Sequence, residues 1–275
     1  MRLVAIEEHV NRPDVKDYMG WQPKAVLARL APSVEQRIAD MDAAGISVSV
    51  LSAPLPAPGP DGAADAPAPV QPLDASAIPM VQAANEELYE LVNAYPDRFS
   101  AFATLPVGLP VAAAAELERA VTELGFVGTM IWGTVNDRFL DEPEFAPILE
   151  AAARLDVPIY IHPAPPPKRV TDIYYTGPFG QRVGEMLSCS GLGWHLELSV
   201  HVTRLIVSGV FDRIPGLKII IGHIGEGLAF HLHRLDRQLN ELAGLPKPIS
   251  QYLSEHVWYT TSGYFFNGQF ELARA

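Results

Sequence analysis

The 275-residue chain is 48% hydrophobic and 19% charged, a balance that fits one large globular domain and excludes a disordered or fibrous chain. Its formal charge of -12, without any run of Lys or Arg, excludes a nucleic-acid or anionic-membrane surface as its main partner. A single cysteine, Cys189, excludes an internal disulfide framework. With no secretory leader after Met1 and no apolar run of bilayer length, a cytoplasmic protein is expected.

The first element is an apolar strand ending in polar residues, Val4-Ala-Ile-Glu-Glu-His9. Alternation along a strand sends Glu7 and His9 to one side and Glu8 to the other, so Glu7 and His9 are paired as candidate metal ligands. A loop from Asn11 to Pro32 follows, and Ser33-Val-Glu-Gln36 has the pattern of a capping box that starts a helix stopped by Gly45. Ile46 to Leu51 reads as strand two. Residues 54–76 are crowded with Pro and Ala and are read as a loop insertion within a single domain spanning 1–275. Helix from about Pro79 to Tyr95, strand Phe99 to Leu105, helix over about 110–124 and strand Gly128 to Trp132 come next. Asp141-Glu-Pro-Glu144 is a second capping-box pattern, expected to open a helix running to about Leu155. Strand five is Pro158 to His162, and a Pro- and Gly-rich loop is expected over 164–193. A helix over about 194–209, strand Lys218 to His223, helix Glu226 to about Leu242 and strand His256 to Ser262 complete the alternation.

Strands alternating with helices imply right-handed crossovers and a mostly parallel sheet. An open doubly wound sheet and a (β/α)8 barrel both meet that pattern. No G-x-G-x-x-G or Walker A loop follows a strand. His9, His162 and His223 each close a strand, and in a barrel such ends converge on one mouth. The expected fold is therefore an α/β, TIM-like (β/α)8 barrel with one strand fewer than eight. Singly, each histidine reads as a satisfied strand-end residue. Together with Glu7 they read as a site for a divalent ion such as Zn²⁺, Mn²⁺ or Fe²⁺. The histidines at 195, 201, 231, 233 and 256 are assigned no chemistry, and Asp42, Asp156 and Asp212 are read as turn or helix-end residues.

Several stretches carry a resemblance over nearly the whole chain: Ala5 to His9, Pro96 to Pro106, Val157 to Pro163, Ser208 to Arg213 and Leu217 to Glu226. In these the chain resembles the metal-dependent decarboxylases of the amidohydrolase superfamily, which act on γ-resorcylate, 2,3-dihydroxybenzoate, salicylate and 5-carboxyvanillate. The resemblance implies a zinc or manganese ion held by Glu7, His9 and His162, with His223 and Glu226 beside it in substrate activation. It implies substrate contact by Arg234, on the helix after strand six, and by Trp132, which stands where a smaller polar residue is expected. It also implies an aspartate ending strand eight. No aspartate follows Asp236, so the chain reads as a barrel lacking strand eight and the C-terminal segment, with poor or no activity of its own.

The expected reaction is non-oxidative decarboxylation of a hydroxybenzoate-type aromatic acid by a homodimer or homotetramer. A metal-dependent hydrolase of a lactone, ester or amide would use the same ligands, and a barrel without catalysis would retain only binding surfaces.

Overall fold

The computed structural model describes residues 2–10, 32–54 and 74–274. Most of the expected loops at 11–32 and 54–76 lies outside the described residues. The chain forms two compact units, Met1–Met130 and Ile131–Ala275, with the boundary inside a strand.

In the first unit, strands β1 (Val4–His9), β2 (Val48–Ser52) and β3 (Phe99–Ala101) form a parallel sheet in the order β1-β2-β3. The β1–β2 register slips between Ala5 and Glu8, a bulge that places Glu7 where strict alternation fails. Helix α1 (Val34–Ala44) begins as expected: Ser33 accepts from the Gln36 amide, and Gly45 closes the helix in the left-handed conformation. Arg37 on α1 donates to the Glu8 carboxylate at 3.0 Å and to the His9 carbonyl at 2.9 Å, fixing the end of β1. Helices α2 (Ile78–Ala94) and α3 (Pro110–Thr122) follow the apolar periodicity. A buried polar network joins them to the chain after β3. Asn85 exchanges hydrogen bonds with the Thr104 backbone and donates to Glu116, which also pairs with Arg119. Within this network the buried Asn85 and Glu116 side chains each have partners, as burial requires.

Strands β4 (Thr129–Trp132), β5 (Ile159–His162), β6 (Ile219–Ile221) and β7 (Val257–Tyr259) form a second sheet in that order, and the β5–β6 and β6–β7 pairs are parallel. All four residues of β5 are buried, the mark of a parallel strand covered on both faces. Helices α4 (Ala146–Arg154), α5 (Lys168–Tyr174), α6 (Gln181–Met186), α7 (Gly193–Val207), α8 (Val210–Arg213), α9 (Leu228–Leu239), α10 (Ile249–His256) and α11 (Asn267–Arg274) complete the described elements. No helix among the described residues is long and apolar enough to cross a membrane.

The structure corrects two local expectations. The capping box at Asp141 does not form. Arg204 takes the Asp141 carboxylate with two bonds of 2.9 and 3.0 Å, Arg138 pairs with Glu142 and Glu144, and a 3-10 turn at Pro143–Phe145 precedes α4. The expected loop over 164–193 contains α5, α6 and a π-helical turn at Leu187–Gly191. The observed parallel α/β architecture agrees with the expected class.

Candidate active site

The site in the second unit is built by three segments: the end of β5, the first turns of α7, and the turn between β6 and α9. That last turn departs most from ordinary backbone. His223, Ile224, Gly225, Glu226 and Gly227 all have positive φ, between 50° and 86°. The run is a single left-handed turn closed by bonds from the Gly225 amide to the Gly222 carbonyl at 2.9 Å and from the Glu226 amide to the His223 carbonyl at 3.4 Å. An L-residue loses roughly 1–2 kcal/mol in this conformation, and β-branched Ile224 is among the worst suited to it. Neighbouring elements impose the strain. Ile224 donates its amide to the Thr260 carbonyl after β7, Ser199 on α7 donates to the Glu226 carbonyl at 2.6 Å, and the Tyr259 ring lies against Gly225. A Cβ at Gly225 would meet that ring at 3.0 Å, a tight contact that adds to the preference for glycine at a φ of 78°.

The geometric consequence is that residues three apart stand together, as they do on any three-residue turn. His223 Nδ1 lies 2.6 Å from Glu226 Oε1. The expected helical start at Glu226 is therefore corrected: the pair meets in a left-handed turn, and α9 begins only at Leu228.

The other carboxylate oxygen, Glu226 Oε2, is bonded by Nδ1 of His195, a residue to which the sequence assigned no role. His195 is on α7, four residues before Ser199, so one face of that helix grips Glu226 by both side chain and backbone. The i, i+4 spacing of His195 and Ser199 was the only local sign of this role. Burial pushes the Glu226 carboxyl up, but the hydrogen bonds from His195 and His223, and the positive charge of either ring when it is protonated, hold it below its ordinary value. The donor atoms of His195, His223 and Glu226 lie within 4.8 Å of one another, close enough to raise the question of a metal ion. The contacts argue against one. A tetrahedral ion at about 2.1 Å from two donors needs them roughly 3.4 Å apart, and these are at hydrogen-bond separation.

His162 ends β5 with Nδ1 2.7 Å from the Pro163 carbonyl oxygen. That acceptor requires a proton on Nδ1, which places the neutral ring's lone pair on Nε2. The Trp132 ring, at the end of β4, lies 3.7 Å from the His162 ring between centroids, and Trp194 meets the same imidazole edge-on at 6.1 Å. Gly133 permits this strand end. Its amide bonds the His162 carbonyl at 2.9 Å, and a Cβ there would lie 2.5 Å from that of Ala164. Tyr264 places its hydroxyl 3.3 Å from His195 Nε2, and burial pushes its pKa up.

In the first unit, His9 places Nδ1 2.8 Å from the Ser52 hydroxyl on the neighbouring strand, while Glu8 turns to Arg37. The opposite assignments of His9 and Glu8 match the alternation expected for β1, and Glu7 stands in the bulge. Arg234 is exposed on α9. Asp42, Asp156 and Asp212 are structural, paired with Arg98, Lys218 and Tyr252.

Comparison with known proteins gives the family. The amidohydrolase family profile matches residues 34–269. A γ-resorcylate decarboxylase of Rhizobium sp. is 35% identical over 95% of this chain and 80% of its own length. A solved 2,6-dihydroxybenzoate decarboxylase in complex with 2,6-dihydroxybenzoate has a TM-score of 0.83 at 34% identity, covering 99% of this chain and 84% of the other. A dihydroxybenzoic acid decarboxylase of Polaromonas sp., with bound manganese and the inhibitor 2-nitroresorcinol, has a TM-score of 0.84 at 33% identity, over 99% of this chain and 82% of its own. The chain belongs to the amidohydrolase family, in its branch of decarboxylases.

Proposed function

We propose that this chain carries out metal-dependent, non-oxidative decarboxylation of a hydroxybenzoate-type acid, with Glu7, His9 and His162 as metal ligands on a TIM-like barrel of the (β/α)8 type that lacks strand eight, read as one domain over 1–275. The observation that carries the reading is the likeness, at 34% identity over 99% of the chain, to a decarboxylase solved with 2,6-dihydroxybenzoate. The donor set fits a zinc or manganese ion. His9 and His162 each bond a neighbouring oxygen through Nδ1, the outer contact that orients a metal-binding imidazole and directs Nε2 to the ion. When bound, the ion supplies Lewis acidity and a chelating anchor for a carboxylate with an adjacent phenolic oxygen.

The chain's own residues supply the rest. Trp132 and Trp194, tilted against and edge-on to His162, offer apolar faces to an aromatic ring. His223, with Nδ1 tied to Glu226, presents Nε2 as the atom that exchanges a proton with substrate. In its protonated form His223 would pass the Nε2 proton to the ring carbon bearing the carboxylate and regain one from water; C–C cleavage follows, and the electron pair of that bond restores the aromatic ring as CO₂ leaves. Arg234, exposed on α9, belongs to the proposal as a residue meeting substrate or a second copy in a homo-oligomer.

The test is product analysis. Purified protein loaded with Mn²⁺ or Zn²⁺ is given 2,6-dihydroxybenzoate, 2,3-dihydroxybenzoate, salicylate and 5-carboxyvanillate. CO₂ and the matching phenol are expected in equal amounts, with rates falling about 100-fold or more in His223→Asn and on chelation. Stoichiometric metal without CO₂ from any of these acids would overturn the reading, and acid release from a lactone or ester would replace it with hydrolysis.

A further inference from the structure

We propose that His195 is a positioning residue for the His223–Glu226 pair, and that the indole N–H of Trp194 sets the tautomer in which it works. The residues form a chain of hydrogen bonds from Trp194 through His195 and Glu226 to His223. Trp194 Nε1 lies 3.1 Å from His195 Nε2. An indole nitrogen donates and never accepts, so this contact needs a lone pair on Nε2. The single ring proton of neutral His195 is then on Nδ1, where it is donated to Glu226 Oε2. Glu226 accepts at Oε1 from His223 Nδ1. One carboxylate thereby holds two imidazoles in the same tautomer, and the reactive nitrogen of His223 is Nε2.

His195 has a competing choice within reach. The Ser190 carbonyl, on the π-helical turn before α7, lies 3.3 Å from Nε2 and would accept a proton from it. In that alternative tautomer a lone pair on Nδ1 faces Oε2, two acceptors meet in a buried place, and Glu226 loses half of its support. The Trp194 N–H, on the residue next to His195, tips the choice away from Ser190. The Tyr264 hydroxyl, 3.3 Å from the same nitrogen, can donate in one tautomer or accept in the other, so the choice falls to Trp194. Trp194 therefore joins the aromatic wall around His162 to the proton-handling pair. Phenylalanine at this position keeps an aromatic ring in the wall and loses the N–H that sets the tautomer.

The kinetic part of this inference rests on the proposed decarboxylation; the tautomer part does not. The full chain is labelled with ring-¹⁵N histidine and its imidazole shifts are recorded, with His195 and His223 assigned by single substitution. Wild-type protein is expected to show both rings protonated at Nδ1, and Trp194→Phe to move His195 toward the Nε2–H form. On the most active acid, His195→Leu is expected to lower kcat by about 10- to 100-fold with little change in KM, whereas His195→Asn, which retains a donor near the Nδ1 position, recovers most of it. Unchanged tautomers in Trp194→Phe would overturn the proposal, as would equal kcat in His195→Leu and wild type. If His195→Leu does not fold, the Trp194→Phe spectrum decides alone. If no acid is decarboxylated but the spectra shift as stated, the positioning chain stands and the proposed reaction falls.

Discussion

Two histidines on α7 have different surroundings. His195 bonds a carboxylate, whereas His201 is fully buried, accepts the Leu140 amide at Nε2 over 3.1 Å and has Arg204 nearby. Burial and then the Arg204 charge push the His201 pKa down to about 3. The direction of the linkage follows. Between about pH 6.5 and 3 the unfolded chain carries the His201 proton and the folded chain does not, so folding loses stability as pH falls below about 6.5. Above that range the contribution is fully present. His201→Gln retains a polar group on α7 that does not titrate. Urea unfolding at pH 7.5, 6.0 and 5.0 is expected to show wild type losing up to about 1.4 kcal/mol per pH unit more than the variant below pH 6. Parallel profiles would show that His201 is not the titrating group.

At the scale of elements, the strand ends set the site, and β4 offers the sharpest test. Gly133 combines a φ of 50° with a hypothetical Cβ 2.5 Å from that of Ala164. Gly133→Ala is expected to cost on the order of 3 kcal/mol, part backbone strain and part overlap. Ala164→Gly removes the overlap and leaves the strain, so the double variant should recover a fraction of the loss. The same cost in both backgrounds, measured by denaturant unfolding, would show that the overlap is relieved elsewhere. The strands themselves were legible because β-branched runs such as Lys218-Ile-Ile-Ile221 have few other uses between helices. What escaped reading depended on partners far along the chain. The Asp141 capping pattern lost to Arg204, 63 positions away, and His195 takes its role from Glu226, 31 positions away. The left-handed turn escaped for a different reason: His223, Ile224 and Glu226 adopt a conformation that their own preferences oppose, and only Gly225 and Gly227 hinted at it. Helices α5 and α6 were hidden by the Pro and Gly content of their surroundings, although Pro167 serves as the residue that opens α5.

For the whole molecule the decisive quantity is the coupling between metal and fold. The proposed ligands come from opposite halves of the chain, Glu7 and His9 from β1 and His162 from β5. An ion that binds the folded chain and not the unfolded one stabilises it by about 2.7 kcal/mol at 100 times its dissociation constant. At roughly 2–3 °C per kcal/mol for a chain of this size, metal-stripped protein given Mn²⁺ should melt about 5–8 °C higher. The location of the ion is read from which substitutions abolish the shift. Glu7→Gln and His162→Gln are expected to remove most of it. Glu226→Gln is expected to retain it while losing turnover, because the Glu226 carboxylate oxygens are already taken up by hydrogen bonds to His195 and His223. If Glu226→Gln abolished the shift and Glu7→Gln did not, the ion would belong to the His195–His223–Glu226 cluster, and Glu7, His9 and His162 would lose their proposed role. Calorimetric melts with Mn²⁺, Zn²⁺ and chelator on the three variants, each first shown to fold, separate the two assignments without any appeal to catalysis.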